Sequence, residues 1–244
     1  MKDMTVTEHL EELRKRIIRI CLILFLAFGV TYSNGERISE FLLAPLRQAL
    51  GPQGKIVYLG LFDKVISDFQ VSFWTCILLS SPLWFWQIWA FVRPGLHEKE
   101  AKVIRPFVLA GFVLFIGGIL FGYYVLFPLS FKILTQMGVK DVEAMIGLKD
   151  YLSLSSKILV ILGLIFQLPI ILLILGFMGM VTKYSLRGWR RYIYVGLAIF
   201  AAVVTPTPDP FTMLILWVPL IALYELGILA VALLVHPYLE KQHT

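Results

Sequence analysis

Long apolar blocks alternate with short polar connections along the chain, and the blocks are long enough for helices that cross a lipid bilayer. The pattern predicts an amphipathic helix over 5–16, then spans over about 17–32, 65–92, 104–137, 151–178, 192–208 and 211–235, with an outer cap over 36–64. Leu10, Leu13 and Ile17 share one face of the first helix, and Thr5 followed by Glu8 reads as a capping box that opens it. Pro45, Gly51, Pro52 and Gly54 punctuate the cap. The second, third and fourth runs exceed the ~20 residues that a ~30 Å hydrocarbon core requires, so they should tilt or project beyond the lipid. The fifth run, confined between Arg191 and Asp209, offers only about 26 Å of helix. The sixth is shortened too if Glu225 marks its exit from the lipid.

Pro82, Pro128, Pro169 and Pro219 fall inside apolar runs, where each removes a backbone donor and crowds the preceding turn. The expected fold is therefore an all-α integral membrane protein with six transmembrane helices, kinked and tilted, in one concave bundle with two short C-terminal spans. The whole of 1–244 reads as a single polytopic domain without internal repeats.

Composition agrees with this reading. Of 244 residues, 59% are hydrophobic and 16% charged, and the mean hydropathy is +0.82, far from the mix of soluble domains. The net charge of +6 would suggest nucleic acid in a soluble protein. Here the bases crowd the N-terminal segment, the 93–105 loop, the 183–191 loop and the tail, and thin out over the longer loops opposite. That asymmetry predicts cytoplasmic N- and C-termini and no nucleic-acid site. Acidic residues and a helix cap precede the first apolar run, which argues against a cleavable signal peptide. Cys21 and Cys76 are embedded in apolar runs and imply neither a disulfide nor a metal site. The four histidines have no metal-like spacing and read as solvated interfacial residues. No nucleophile, phosphate loop or nucleotide fingerprint appears, so the sequence points to no cofactor and no enzyme activity.

Three polar residues lie in or beside apolar runs. Gln167 must find a partner, either within the bundle or on the membrane helix of another protein. Glu225 is a functional candidate because an intramembrane carboxylate is costly, although a neighbouring base could simply pair with it. Asp209, in TPTPDPF, reads as a turn residue and helix cap on the outer side. The densest charge lies in WAFVRPGLHEKEAKVIRP, residues 89–106, a hinge between two long spans that must sit at a membrane surface. It reads as a binding surface without catalytic chemistry. A transporter or channel remains open from the residues alone, although no internal repeat and few intramembrane charges support one.

HLEELRKRI near the N-terminus, SSPLWFWQIWAFVRPGLHEKE before the first cytoplasmic loop, YYVLFPLSF in the third span and TPTPDPF before the sixth resemble the TatC family. That family is the multi-span core of the twin-arginine protein translocase, and the resemblance covers nearly the whole chain. It implies a receptor in the cell inner membrane that binds the twin-arginine signal peptides of folded cargo. It also implies recruitment of single-span TatA- and TatB-like membrane proteins, self-association in the complex and contact with membrane lipid. By motif it assigns Glu12, Arg14, Phe91, Leu96 and Glu100 to signal-peptide binding, and Pro45 and Tyr123 to structural positions of the outer loop and third span. Gln167 departs from a glutamate common in the family, and Met213 stands where some members carry glutamine. The methionine weakens a polar partner contact in the sixth span, and Gln167, Glu225 and Met213 form the expected set of partner or intramembrane polar positions.

Overall fold

The computed structural model describes residues 6–51, 55–92, 98–136, 145–205 and 209–235, and within these no side chain at 6, 92, 98–105, 108 or 134–136. Thr5, Leu96 and the TPTP run before Asp209 are thus outside or at the edge of the described residues.

The first helix, α1, is a single rod over Val6–Ser33, in which no break separates the amphipathic start from the apolar span. Glu11–Lys15 and Glu12–Arg16 pairs at i,i+4 carry the helix through its polar third, and the apolar run then extends it. Its apolar side chains point outward: Phe25 is 74% exposed and Leu26 69%. Such exposure suits lipid and would be untenable in water. Thr31 joins α1 to the next long helix by donating to Ser72 O at 2.9 Å.

After Asn34 the chain folds into α2, Gly35–Leu50, which buries Leu42, Leu43 and Leu46 and ends at Gly51 with φ of 63°. A short strand, β1 (Lys55–Val57), pairs in parallel with β2 (Met145–Gly147), so two outer segments distant in sequence are stitched together. Asp63 fixes the turn after β1 by accepting from Leu59 N and Gly60 N, and Lys149 ion-pairs with it at 3.1 Å.

The second apolar run is broken. Helix α3, Asp63–Leu79, meets α4, Ser81–Val92, at 54°. Pro82 at the start of α4 is the cause, and side chains take up the carbonyls at the break: Ser80 Oγ donates to Cys76 O and Trp84 Nε1 to Ile77 O. Helix α5 (Glu98–Phe121) passes through a π turn, Gly122–Leu126, into α6 (Phe127–Gln136), so the widened turn immediately precedes Pro128. Helices α7 (Leu148–Ile165) and α8 (Leu168–Phe177) form one 30-residue rod with Pro169 at the start of its second half. Here α5 and α7 approach closely: a Cβ on Gly163 would lie 2.6 Å from the Phe115 ring, and one on Gly118 would lie 2.7 Å from Leu162 O.

A reciprocal Thr182–Ser185 capping box opens α9, Lys183–Val204. Its 22 residues give about 33 Å of helix, because it runs back through the basic segment that seemed to mark its boundary. Helix α10, Pro210–Ala230, continues through a π turn to Val235. This 26-residue rod runs on past Glu225 without a break. Its charge is tolerated because α9 supplies partners.

Among the described residues four helices are long and apolar enough to cross a membrane, or five if the bent α3–α4 pair is one span. The fold is thus all-helical but for the β1–β2 pair.

Candidate functional site

The polar end of α1 docks on α4, and two contacts set its geometry. His9 stacks on Phe91 with ring centroids 4.5 Å apart and an interplanar angle of 17°. About two turns further along, Arg16 donates to Glu12 Oε1 through Nε at 3.1 Å and Nη2 at 2.8 Å, and reaches Gln87 Oε1 through Nη1 at 3.2 Å. Gln87 and Phe91 are four residues apart and share a face of α4. His9, Glu12, Leu13 and Arg16 form the matching stripe on α1.

Both Glu12 and Arg16 are largely shielded, with side chains 19% and 18% exposed. Glu12 Oε2 is buried and has no hydrogen-bond partner among the described residues. A carboxylate oxygen in that condition is a strong acceptor waiting for a donor. Beside it lies a groove of about 370 Å³ lined by Glu8, Glu11, Glu12, Lys15, Arg16 and Arg19.

Of the residues assigned by motif to peptide binding, Glu12 and Phe91 are held on this one surface. Arg14 is exposed on the same helix. Glu100 belongs to the first turn of α5, but its side chain, like Leu96 as a whole, lies outside the described residues. Sequence reasoning missed Gln87 and took His9 for a solvated residue. The shared helical stripe with Glu12 and Arg16 was the available signal for His9, whereas nothing local marks Gln87.

The intramembrane polar residues behave differently. Gln167 is only 7% exposed, and its Nε2 donates to Gly111 O at 2.9 Å, tying α8 to α5. Glu225 ion-pairs with Arg190 and accepts from Tyr194 Oη at 2.6 Å. Trp217 Nε1 donates to Tyr194 O and Tyr224 Oη to Leu186 O, which locks α9 and α10 together around the pair. Met213 is half-buried against the core on α10. Asp209 caps α10, its Oδ1 accepting from Phe211 N at 3.0 Å and Thr212 N at 2.9 Å. Pro45 is buried in α2, and Tyr123, in the π turn, reaches across to Phe41 of that helix. Among the described residues no cluster of His, Cys, Asp or Glu could hold a metal ion.

A family model described as Sec-independent protein translocase protein (TatC) matches residues 8–219. A protein named Sec-independent protein translocase protein TatC from Magnetococcus marinus is 38% identical over 223 residues, 91% of this chain and 82% of its own length. One of the same name from Koribacter versatilis is 36% identical over 242 residues, 97% of this chain and 88% of its own. A crystal structure of the twin-arginine translocase receptor TatC superposes with a TM-score of 0.81 at 28% identity, covering 93% of this chain and 99% of that one.

Proposed function

The chain belongs to the TatC family of Sec-independent protein translocase proteins, and from that premise we propose that it is the signal-peptide receptor and scaffold of a twin-arginine translocase. Members of this family are translocase components and not enzymes, and the long apolar helices make the chain a multi-pass membrane protein.

The observation that carries the proposal is the Glu12 carboxylate, shielded, held in place by Arg16, which Gln87 anchors in turn, and left with one oxygen to offer. A signal peptide with consecutive arginines brings planar guanidinium forks, which suit carboxylates far better than the point charge of lysine. In this reading Glu12 takes one arginine and Glu100 the other. Arg14 faces the peptide's acidic or polar flank, and Phe91 and Leu96 cover its apolar residues. The stack of His9 on Phe91 keeps the two walls of the site in register.

The topology proposed is six spans with both termini in the cytoplasm, in the cell inner membrane. Helix α9 supplies the span that apolarity alone does not recognise. Its charged first turns run along Glu225 and its apolar remainder enters the lipid. Folded cargo would then cross after recruitment of single-span TatA- and TatB-like partners and self-association of the chain. Among the residues assigned to that recruitment, the paired Glu225, still about a third exposed, and the half-buried Met213 nearer the start of the same helix are better placed than Gln167, whose amide is already used within the bundle.

A photocrosslinker at position 87 tests this directly. It should capture a twin-arginine signal peptide at the arginine pair, and capture confined to the peptide's distal end would remove the α1–α4 surface as the receptor.

A further inference from the structure

Arg37 and Glu36 are consecutive on α2 yet serve two different cavities. Glu36 lines a polar cleft beneath the β1–β2 pair, whereas Arg37 stands at the rim of an apolar groove of about 440 Å³ between α2, α3, α5 and α7. The groove walls include Phe41, Leu79, Leu120 and Tyr124, which are 56%, 63%, 49% and 64% exposed, with Thr75 the lone uncharged polar side chain of an aliphatic type among them. Arg37 is the single charged residue of this lining and makes no ion pair among the described residues.

The first turn of α2 also carries Glu36, but that carboxylate lines the other cleft, so Arg37 is the charge this groove presents. An open apolar slot whose one charged lining group is a guanidinium matches one amphiphile: an acyl chain whose head is a phosphate.

We propose that this groove is a binding site for an anionic phospholipid of the leaflet on the cap side, with one acyl chain between α3 and α5 and the phosphate on Arg37. The lipid fills the slot that the bend at Pro82 and the π turn at Gly122–Leu126 leave between neighbouring helices. It thereby braces α2 against the bundle without a protein partner.

Native mass spectrometry of the purified chain, from mixed micelles of phosphatidylglycerol and phosphatidylcholine, tests the site. The unmodified protein should retain one phosphatidylglycerol in preference to phosphatidylcholine. Arg37→Gln should abolish that preference, and Leu120→Trp, which fills the slot away from the head, should reduce retention of both lipids. Both side chains are exposed, and Arg37→Gln alone decides the matter if the tryptophan disturbs folding. Equal retention of the two lipids by the unmodified protein would overturn the proposal. So would a crosslinker at position 120 that captures a single-span membrane protein and no lipid.

Discussion

Tyr123 donates its hydroxyl to the carbonyl of Phe41 at 2.8 Å while its ring stacks on that of Phe41, centroids 4.4 Å apart and planes within 2°. The contact answers a defect in α2. In an α-helix the carbonyl of residue 41 is met by the N–H of residue 45, and Pro45 has none. Tyr123 supplies the missing donor from the π turn, and beside it Tyr151 Oη donates to the adjacent Leu42 O at 2.7 Å. The outer cap is thus fastened to the third and fourth runs through two adjacent carbonyls, one of them at the helix's own imperfection.

Tyr123→Phe should therefore cost about 1–3 kcal/mol, the penalty of a buried acceptor left unpaired. In a Pro45→Ala background the helix provides its own N–H, and the same change should cost clearly less. Thermal unfolding of the four proteins of this cycle measures the coupling; strict additivity would separate the two residues.

Gln167→Leu removes the amide bond to Gly111 O, and about 1 kcal/mol of stability should go with it, seen as a fall of roughly 2–4 °C in Tm. Signal-peptide affinity should be unchanged, since this contact lies on the span and away from α1. Loss of peptide binding at full stability would show that Gln167 communicates with the surface.

For the pair inside the α9–α10 hairpin, removing one charge should be worse than removing both. Glu225→Gln or Arg190→Gln should each lower the midpoint of thermal unfolding, because each leaves its partner without its counter-charge, and the double variant should recover part of that. A thermal-stability cycle decides it. If the double variant is the least stable of the three, the charges do not depend on each other.

Much of this was legible in the sequence because it is local. The apolar runs, the break at Pro82, the Asp209 cap and the i,i+4 pairing of Glu12 with Arg16 all follow from spacing along one helix. What could not be read involves distant partners. Gln87 lies 71 residues from Arg16, and the β1–β2 pair joins two three-residue strands from separate loops, too short to show a period. The partners of Glu225, Arg190 and Tyr194, likewise belong to another helix. Helix α9 extends back past Arg191, because its basic residues form a helix face with a carboxylate opposite.

The claim that matters most is that Glu12 on α1 holds one arginine of the signal peptide. It is tested most directly by the affinity of the purified protein, unmodified and as Glu12→Gln, for one signal peptide carrying Arg-Arg and for the same peptide carrying Lys-Lys. With Glu12 only 19% exposed, its substitution should cost the Arg-Arg peptide about 1 kcal/mol, a several-fold loss, with Arg16 already taking one of its oxygens. Glu100→Gln, measured alongside, should cost nearer 2 kcal/mol. The Lys-Lys peptide should bind the unmodified protein weakly and lose little more in Glu12→Gln. Equal affinity of the two peptides for the unmodified protein, or an Arg-Arg affinity that Glu12→Gln leaves untouched, would contradict the account.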